Sequence, residues 1–245
     1  MSDHHAIKAI LLDLDDTLLR NDTEPFIQAY FESLTAHVAS LCTPNQFMHA
    51  LNMGTRAMLV NDGQDTTNRE AFNDAFFRLL DCDHAALESF IMDYYKNAYE
   101  NLQPLTSPMP GARALVSLCV ASGLQVAIAT QPVFPLVAVQ ARLRWANVGA
   151  DEFAYDWVTS YETSRACKPH PQYFIDIATR LGCVPSECLM VGDSPDTDLP
   201  ANRAGLKTFW IRGNQTDEAL PNTPDAQGNL GTLIELVQAG KIHEL

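Results

Sequence analysis

Carboxylate side chains are concentrated at two points of this sequence, and each point directly follows a short apolar run. Asp13, Asp15 and Asp16 fall within four residues of one another, and Asp193 and Asp198 form the second group. If the two loops are neighbours in space, each close pair of charges repels by roughly 4 kcal/mol at 4 Å and an effective dielectric constant near 20. A compensating cation is therefore expected between them.

A hard divalent cation would relieve this repulsion. Oxygen ligands from a short acidic loop suit Mg²⁺, which prefers one or two carboxylates together with waters and phosphate oxygens. The sequence therefore predicts a metal site with Mg²⁺ as the cofactor. In the alternative interpretation an Asp-rich turn caps a helix, which accounts for one Asp at a time but not for five that converge on strand ends.

Two further polar residues are candidates for contact with an anion. Thr130 follows the apolar segment 124–129, so its hydroxyl and the nearby backbone amides can donate to a phosphoryl oxygen. Lys168 precedes a predicted helix start and can project toward an anion at the same rim. Taken alone, each is more typical of a structural threonine and of a surface lysine.

The elements that position these residues alternate between strand and helix. Short apolar runs ending in polar residues predict buried parallel strands at 6–12, 124–129, 157–159, 189–191 and 207–211. Helical patterns, bounded by proline at a start or glycine just past an end, occupy 112–121, 135–145, 171–181 and 198–204. This alternation predicts an α/β fold with a three-layer, Rossmann-like, mostly parallel sheet. Ligands of such sheets bind at the carboxyl ends of the strands, where Asp13, Thr130 and Asp193 are expected.

One interval departs from this alternation. From about residue 20 to residue 103 there is no strand signal, only apolar residues at helical spacing. We predict an inserted all-helical cap domain at 20–103, within an α/β core domain formed by 1–19 and 104–245. The proline-rich stretch 104–111 marks the return of the chain to the sheet.

The bulk composition narrows the class of protein. The 245 residues are 47% hydrophobic and 9% aromatic, as in a folded globular protein. A formal net charge of -14 would repel a nucleic-acid backbone, so no nucleic-acid partner is expected. No signal peptide and no segment long and apolar enough to span a bilayer is evident, so no membrane partner is expected. Six scattered cysteines are typical of reduced thiols in a cytoplasmic protein. The apolar cap faces fit either a monomer or a homodimer.

Four segments, in this order, resemble the signature motifs of the haloacid dehalogenase (HAD) superfamily. They are DLDDTL (Asp13 to Leu18), IAT ending at Thr130, KPHPQYF (Lys168 to Phe174) and GDSPDTD (Gly192 to Asp198). The resemblance covers the whole chain, and the helical insertion lies where the family carries its C1 cap. It therefore implies the same α/β core with a helical cap.

The resemblance also implies catalytic roles. Asp13 would be the nucleophile that forms an aspartyl phosphate, and Asp15 would act first as acid and then as base. The Mg²⁺ would be held by Asp13, by the main-chain carbonyl of Asp15 and by Asp193. Asp198 would either bind the ion directly or contact a group that does.

Phosphate contacts follow from the same resemblance. Thr130 and Lys168 would hold the transferring phosphoryl group and offset its charge. Gln131 stands where the family often has a smaller Asn or Ser, and we predict it as a further phosphate-binding residue. Proline at position 200 also departs from the small residue that many members have there.

These roles predict a Mg²⁺-dependent phosphohydrolase of a small phosphorylated metabolite that reacts through an aspartyl-phosphate intermediate. Asp15 favours phosphate chemistry over dehalogenation, because family members that cleave carbon–halogen bonds lack an acid at this position. Two alternatives stay open. One is a phosphomutase or phosphotransferase with the same covalent step, and the other is a catalytically inactive binding protein with the same fold. The intact Asp13, Asp15, Lys168 and Asp193 argue against the second.

Overall fold

A computed structural model describes residues 6–21, 23–212 and 221–245 of the chain. The strands in these ranges are β1 (Ala9–Leu12), β2 (Leu19–Asn21), β3 (Thr106–Pro108), β4 (Gln125–Ile128), β5 (Trp157–Val158), β6 (Cys188–Gly192), β7 (Lys207–Ile211) and β8 (Ala226–Gly228). The α-helices are α1 (Thr23–His37), α2 (Pro44–Leu59), α3 (Asn68–Phe77), α4 (His84–Lys96), α5 (Ala112–Ala121), α6 (Leu136–Trp145), α7 (Pro171–Arg180) and α8 (Leu230–Gln238). Short 3₁₀ helices lie at Ala98–Leu105, Pro185–Glu187, Leu199–Ala204 and Lys241–Glu244. None of the helices in the described ranges is long and apolar enough to cross a bilayer.

The main sheet has six strands in the order β5-β4-β1-β6-β7-β8, and every neighbouring pair is parallel. The predicted α/β fold with a mostly parallel sheet is confirmed, and each of the five predicted strands overlaps one that is observed. The edge strand β8 was not predicted, because its sequence AQG carries no apolar run. The segment predicted as a helix at 198–204 is a 3₁₀ helix, with Pro200 near its start.

Strand β1 lies at the centre of the fold and is buried on both faces. Ile10 and Leu12 belong to one apolar cluster, whereas Ala9 and Leu11 belong to a second. Successive side chains of a strand point to opposite faces, so helices cover both sides of the sheet. This arrangement is the predicted three-layer core, in which helices cover β1 on both faces of the sheet.

The stretch 23–105, here called the cap segment, is built from α1 to α4 and the 3₁₀ helix Ala98–Leu105. The chain enters and leaves it through β2 and β3, which pair as an antiparallel ribbon with Asn21 opposite Thr106. The sequence prediction contained no strand here, because the segments LRN and TSP contain no apolar run. The ribbon lies close to both predicted domain boundaries, and the division into a core and a cap domain stays a prediction.

The cap segment packs directly against the core through aromatic side chains. Tyr99 stacks on Trp145 of α6 with ring centroids 5.2 Å apart, and Tyr30 contacts Phe134 at 5.4 Å. One apolar cluster therefore runs from the cap segment into the helices on that face of the sheet.

A buried amide provides a second, polar link between cap segment and core. The Asn68 side chain at the start of α3 donates to the carbonyl oxygens of Pro132, at 3.2 Å, and Ala166, at 3.4 Å. Its backbone N–H donates to the carbonyl of Ser164 at 2.8 Å. Asn68 thus fastens the cap segment to two core loops, one following β4 and one preceding Lys168.

Candidate active site

The two acidic loops lie side by side at the carboxyl edge of the sheet. Leu12 at the end of β1 is in register with Val191 of β6, and the Asp13 amide donates to the carbonyl of Val191 at 2.9 Å. Carboxylate oxygens of Asp13, Asp193 and Asp198 all lie within 4.8 Å of one another. The structure therefore brings Asp13 together with Asp193 and Asp198, which the sequence separates by some 180 residues.

A single buried lysine bridges two of these acids. The Lys168 ammonium donates to Oδ1 of Asp13 at 2.7 Å and to Oδ1 of Asp198 at 2.6 Å. All three side chains are buried. Lys168 lies in the loop before α7, and a cis peptide bond joins it to Pro169. The side chain that sequence alone could not separate from a surface lysine is thus part of the acidic cluster.

The charges of this cluster do not balance. When all three carboxylates are ionised they share one ammonium, which leaves an excess of two negative charges. Burial raises the pKa of Asp13 well above its ordinary value, Lys168 opposes the shift, and Asp198 and Asp193 add to it. Burial also raises the pKa of Asp193 to about 7, with further contributions from Asp198 and Asp16. For Lys168, burial disfavours the charge, but Asp13 and Asp198 outweigh it and raise the pKa of the ammonium.

The donor set fits a hard divalent cation. Two additional positive charges would neutralise the excess, and carboxylate oxygens are ligands that Mg²⁺ accepts. Asp198 is held in place at both oxygens, because its Oδ2 accepts from the Ser194 amide at 3.0 Å while Oδ1 accepts from Lys168. Gly192 makes room for this carboxylate, since a Cβ at that position would lie 2.1 Å from Oδ2 of Asp198.

The loop that follows β4 supplies the two other predicted phosphate contacts. Thr130 is buried, and its carbonyl accepts from Tyr173 at 2.7 Å and from Thr159 at 3.0 Å. The Gln131 side-chain amide accepts from the Lys168 amide at 2.9 Å and donates to the Lys168 carbonyl at 3.1 Å. Gln131 therefore ties this loop to the backbone of Lys168, and its predicted contact with phosphate stays a prediction.

The Asp13 loop turns sharply after Asp15. Asp16 adopts a left-handed conformation with φ of 56°, which Asp tolerates better than most residues. Its backbone N–H donates to the Leu19 carbonyl at 2.7 Å, and its side chain accepts from the Asn21 amide at 3.0 Å. The turn therefore connects the acidic loop directly to the ribbon strand β2 and so to the cap segment.

The Asp15 side chain is bound to α6 and is not one of the three carboxylates that cluster with Lys168. Its Oδ2 accepts from Nη1 of Arg142 at 2.5 Å. Arg142 is 2% exposed, and its guanidinium lies 4.6 Å from the centroid of the Phe134 ring. Burial disfavours the charge of Arg142, but Asp15 favours it, and the net effect raises the pKa.

Arg142 was missed in the sequence, although a signal was present. On α6 it shares the buried face with Ala138, Val139 and Trp145. A charged residue in the apolar stripe of an amphipathic helix requires a partner of opposite charge. That partner is the acid two residues after Asp13.

Comparisons with known proteins agree with this fold. The family model described as haloacid dehalogenase-like hydrolase matches residues 7–205. A glyceraldehyde 3-phosphate phosphatase of Methanopyrus kandleri is 26% identical over 222 residues, which cover 89% of this chain and 90% of that protein. Pyrophosphatase PpaX of Bacillus velezensis is 26% identical, over 86% of this chain and 87% of that protein. In fold, the chain is similar to the solved structure of a HAD phosphatase from Thermococcus onnurineus, with a TM-score of 0.56 and 21% identity over 94% of this chain and 98% of that one.

The chain belongs to the haloacid dehalogenase-like hydrolase family. The predicted resemblance is confirmed, and with it the prediction of an enzyme of the HAD-like phosphatase kind.

Proposed function

We propose that this protein is a Mg²⁺-dependent phosphohydrolase that cleaves a small phosphorylated metabolite through an aspartyl phosphate on Asp13. The observation that carries the proposal is the Lys168 ammonium between Asp13 and Asp198, with Asp193 within 4.8 Å. The Asp13 carboxylate is held there in a cluster in which three acids share a single ammonium. A dianionic phosphoryl group with a divalent cation would complete such a site.

In the first step an Asp13 carboxylate oxygen attacks phosphorus, and the bond from phosphorus to the ester oxygen breaks. Asp15 gives a proton to the departing oxygen, so the product leaves as a neutral hydroxyl. Lys168 and Thr130 hold the phosphoryl oxygens and offset their charge during the transfer.

In the second step a water attacks phosphorus of the aspartyl phosphate and loses a proton to Asp15. The bond between phosphorus and the Asp13 oxygen breaks, inorganic phosphate leaves, and both carboxylates return to their starting states. Mg²⁺ would be held by Asp13, Asp193 and the main-chain carbonyl of Asp15. Asp198 would either bind the ion directly or contact a group that does. The ion would supply most of the positive charge that the phosphoryl group meets.

The substrate class rests on relatives. Proteins similar to this chain are called glyceraldehyde 3-phosphate phosphatase, pyrophosphatase PpaX, hexitol phosphatase B and phosphoglycolate phosphatase. We therefore infer a small phosphorylated metabolite as substrate. A panel for the search should begin with glyceraldehyde 3-phosphate, pyrophosphate, hexitol phosphates and phosphoglycolate.

The test is release of phosphate from p-nitrophenyl phosphate with and without Mg²⁺, for the native protein and for Asp13→Asn. Asp196→Asn is the matched control, because Asp196 is an exposed acid between Asp193 and Asp198. We expect Mg²⁺-dependent turnover that Asp13→Asn abolishes and Asp196→Asn keeps. Equal turnover by native protein and folded Asp13→Asn would refute the proposal.

The same assay separates the two alternatives. Faster transfer of phosphate to an added sugar hydroxyl than to water would identify a phosphotransferase or phosphomutase. Binding of Mg²⁺ without turnover of any phosphate in the panel would identify a binding protein. The cytoplasmic location and the monomeric or homodimeric state stay predictions.

A further inference from the structure

Arg142 is a buried cation with only part of its donor capacity used. Its Nη1 donates to Asp15, whereas Nε and Nη2 are buried with no hydrogen-bond partner among the described residues. Nε and Nη2 lie along one edge of the planar guanidinium. Two donors on one edge form the fork that binds a carboxylate or a phosphate with two parallel hydrogen bonds.

The neighbouring groups also lack partners. The Tyr99 hydroxyl and Oδ1 of Asp15 are buried and, within the described ranges, make no hydrogen bond. The charges of Arg142 and Asp15 both act on Tyr99, so the three residues are neighbours. Buried polar groups in native proteins are nearly always satisfied, and four unsatisfied atoms in one place therefore point to a polar ligand.

Stability alone does not explain this arginine. A buried arginine paired with a partly exposed carboxylate is often no more stabilising than well-packed apolar residues of the same size. The guanidinium is also held rigidly, with its face against the Phe134 ring and its helix packed through Trp145 against Tyr99. A specific anion site requires a rigid, desolvated cation with two unpaired donors on one edge.

We infer that the Nε and Nη2 edge of Arg142 binds a second anionic group, a carboxylate or a phosphate, on the part of the substrate that leaves. This inference rests on the proposed function, because Asp15 places the edge beside the departing oxygen. Tyr99 of the cap segment lies over the site, so a substrate reaches it when the cap segment moves off α6. The substrate class becomes a phosphate monoester that carries one further negative group.

Binding measurements test the inference separately from turnover. Calorimetry with Mg²⁺ on the full-length Asp13→Asn protein would compare n-propyl phosphate, 3-(phosphonooxy)propanoate and propane-1,3-diol bisphosphate, which share one carbon chain. We expect one or both of the probes that carry a second anionic group to bind about tenfold to a hundredfold tighter than propyl phosphate. The carboxylate and bisphosphate arms then identify which anion the edge accepts.

Added to that protein, Arg142→Met should remove the preference, so that all three probes bind with Kd values within about threefold of one another. Arg142→Lys keeps the charge without the fork and should keep only part of the preference. Arg144→Met is the matched control, since Arg144 lies on the same helix in an exposed ion pair with Glu100. It should leave the preference unchanged.

Equal binding of all three probes by the parent protein, or binding of none, would overturn the inference. So would an equal loss for all three probes in Arg142→Met, because Arg142 would then act only on Asp15 or on the fold. If Arg142→Met does not fold, the preference in Arg142→Lys decides, and a full preference there overturns it. Failure of the proposed function is distinguishable, because it appears as turnover of p-nitrophenyl phosphate that Asp13→Asn does not reduce.

Discussion

Removal of the Lys168 charge is the perturbation that most directly tests the electrostatics of the site. In Lys168→Met, Asp13 and Asp198 keep their burial but lose an ammonium at 2.7 and 2.6 Å. Breaking a buried ion pair by removing one partner costs about 3–5 kcal/mol, because the remaining charge has no compensation. The free energy of unfolding of a native protein is about 5–15 kcal/mol, so the loss expected in Lys168→Met is a large fraction of it.

The size of the loss should depend on pH. Burial already raises the pKa of Asp13, and removing Lys168, which lowers that pKa, shifts it further upward. Below the folded pKa the carboxyl is neutral and needs no counter-charge, so the destabilisation is small at low pH and grows as pH rises. We expect the full loss of about 3–5 kcal/mol at pH 8 and a distinctly smaller one at pH 5.5.

The assay is urea unfolding in EDTA, followed by tryptophan fluorescence, at pH 5.5 and pH 8. Lys8→Met is the matched control, because Lys8 is 61% exposed in its pair with Glu187 and should change stability much less. A loss in Lys168→Met that is the same at both pH values, or no larger than that in Lys8→Met at pH 8, would refute the reasoning.

Three further predictions concern the metal site and the link between cap segment and core. Gly192→Ala should lower turnover and Mg²⁺ affinity at least tenfold, because the added Cβ would clash with Oδ2 of Asp198. Calorimetry with Mg²⁺ measures the affinity, and a native value would contradict the prediction. Asp193, with a pKa raised to about 7, must lose its proton to bind metal, so the rise in Tm caused by Mg²⁺ should be small at pH 5.5 and full at pH 8. Without metal the same raised pKa stabilises the fold at low pH, and this stability is lost between about pH 4 and pH 7. Asn68→Ala removes the amide that donates to the carbonyl oxygens of Pro132 and Ala166. It should cost about 1–3 kcal/mol of stability and speed hydrogen exchange in α3. Unchanged exchange would argue against Asn68 as a link between cap segment and core.

Much of the fold was predictable because its signals are long or strongly patterned. Strands such as β1 and β6 are continuous apolar runs, and the termination of α5 and α7 follows from the glycines just past their ends. By contrast, β2, β3 and β8 have the sequences LRN, TSP and AQG, which contain no apolar run. Their pairing is decided by partners distant in the chain, which local sequence does not contain.

The candidate site divides in the same way. The acids were found because a parallel sheet brings the ends of neighbouring strands together, and their type and spacing indicated a cation. The partner of Asp15 was not found, since Arg142 lies on a helix that no motif marks. The role of Gln131 in bonding the Lys168 backbone was also out of reach, because it depends on how two loops approach each other.

The ribbon of β2 and β3 has a consequence for how this protein could be altered. Neighbouring strands lie about 4.8 Å apart, so the chain returns at Thr106 almost to the point where it left at Asn21. A graft of another insert between these two residues would need no long connection, and its length would add little closure entropy. The graft would have to bring an apolar surface of its own for Trp145 and Phe134, which Tyr99 and Tyr30 now cover. Exchange of the insert is thus limited by surface matching and not by chain connectivity.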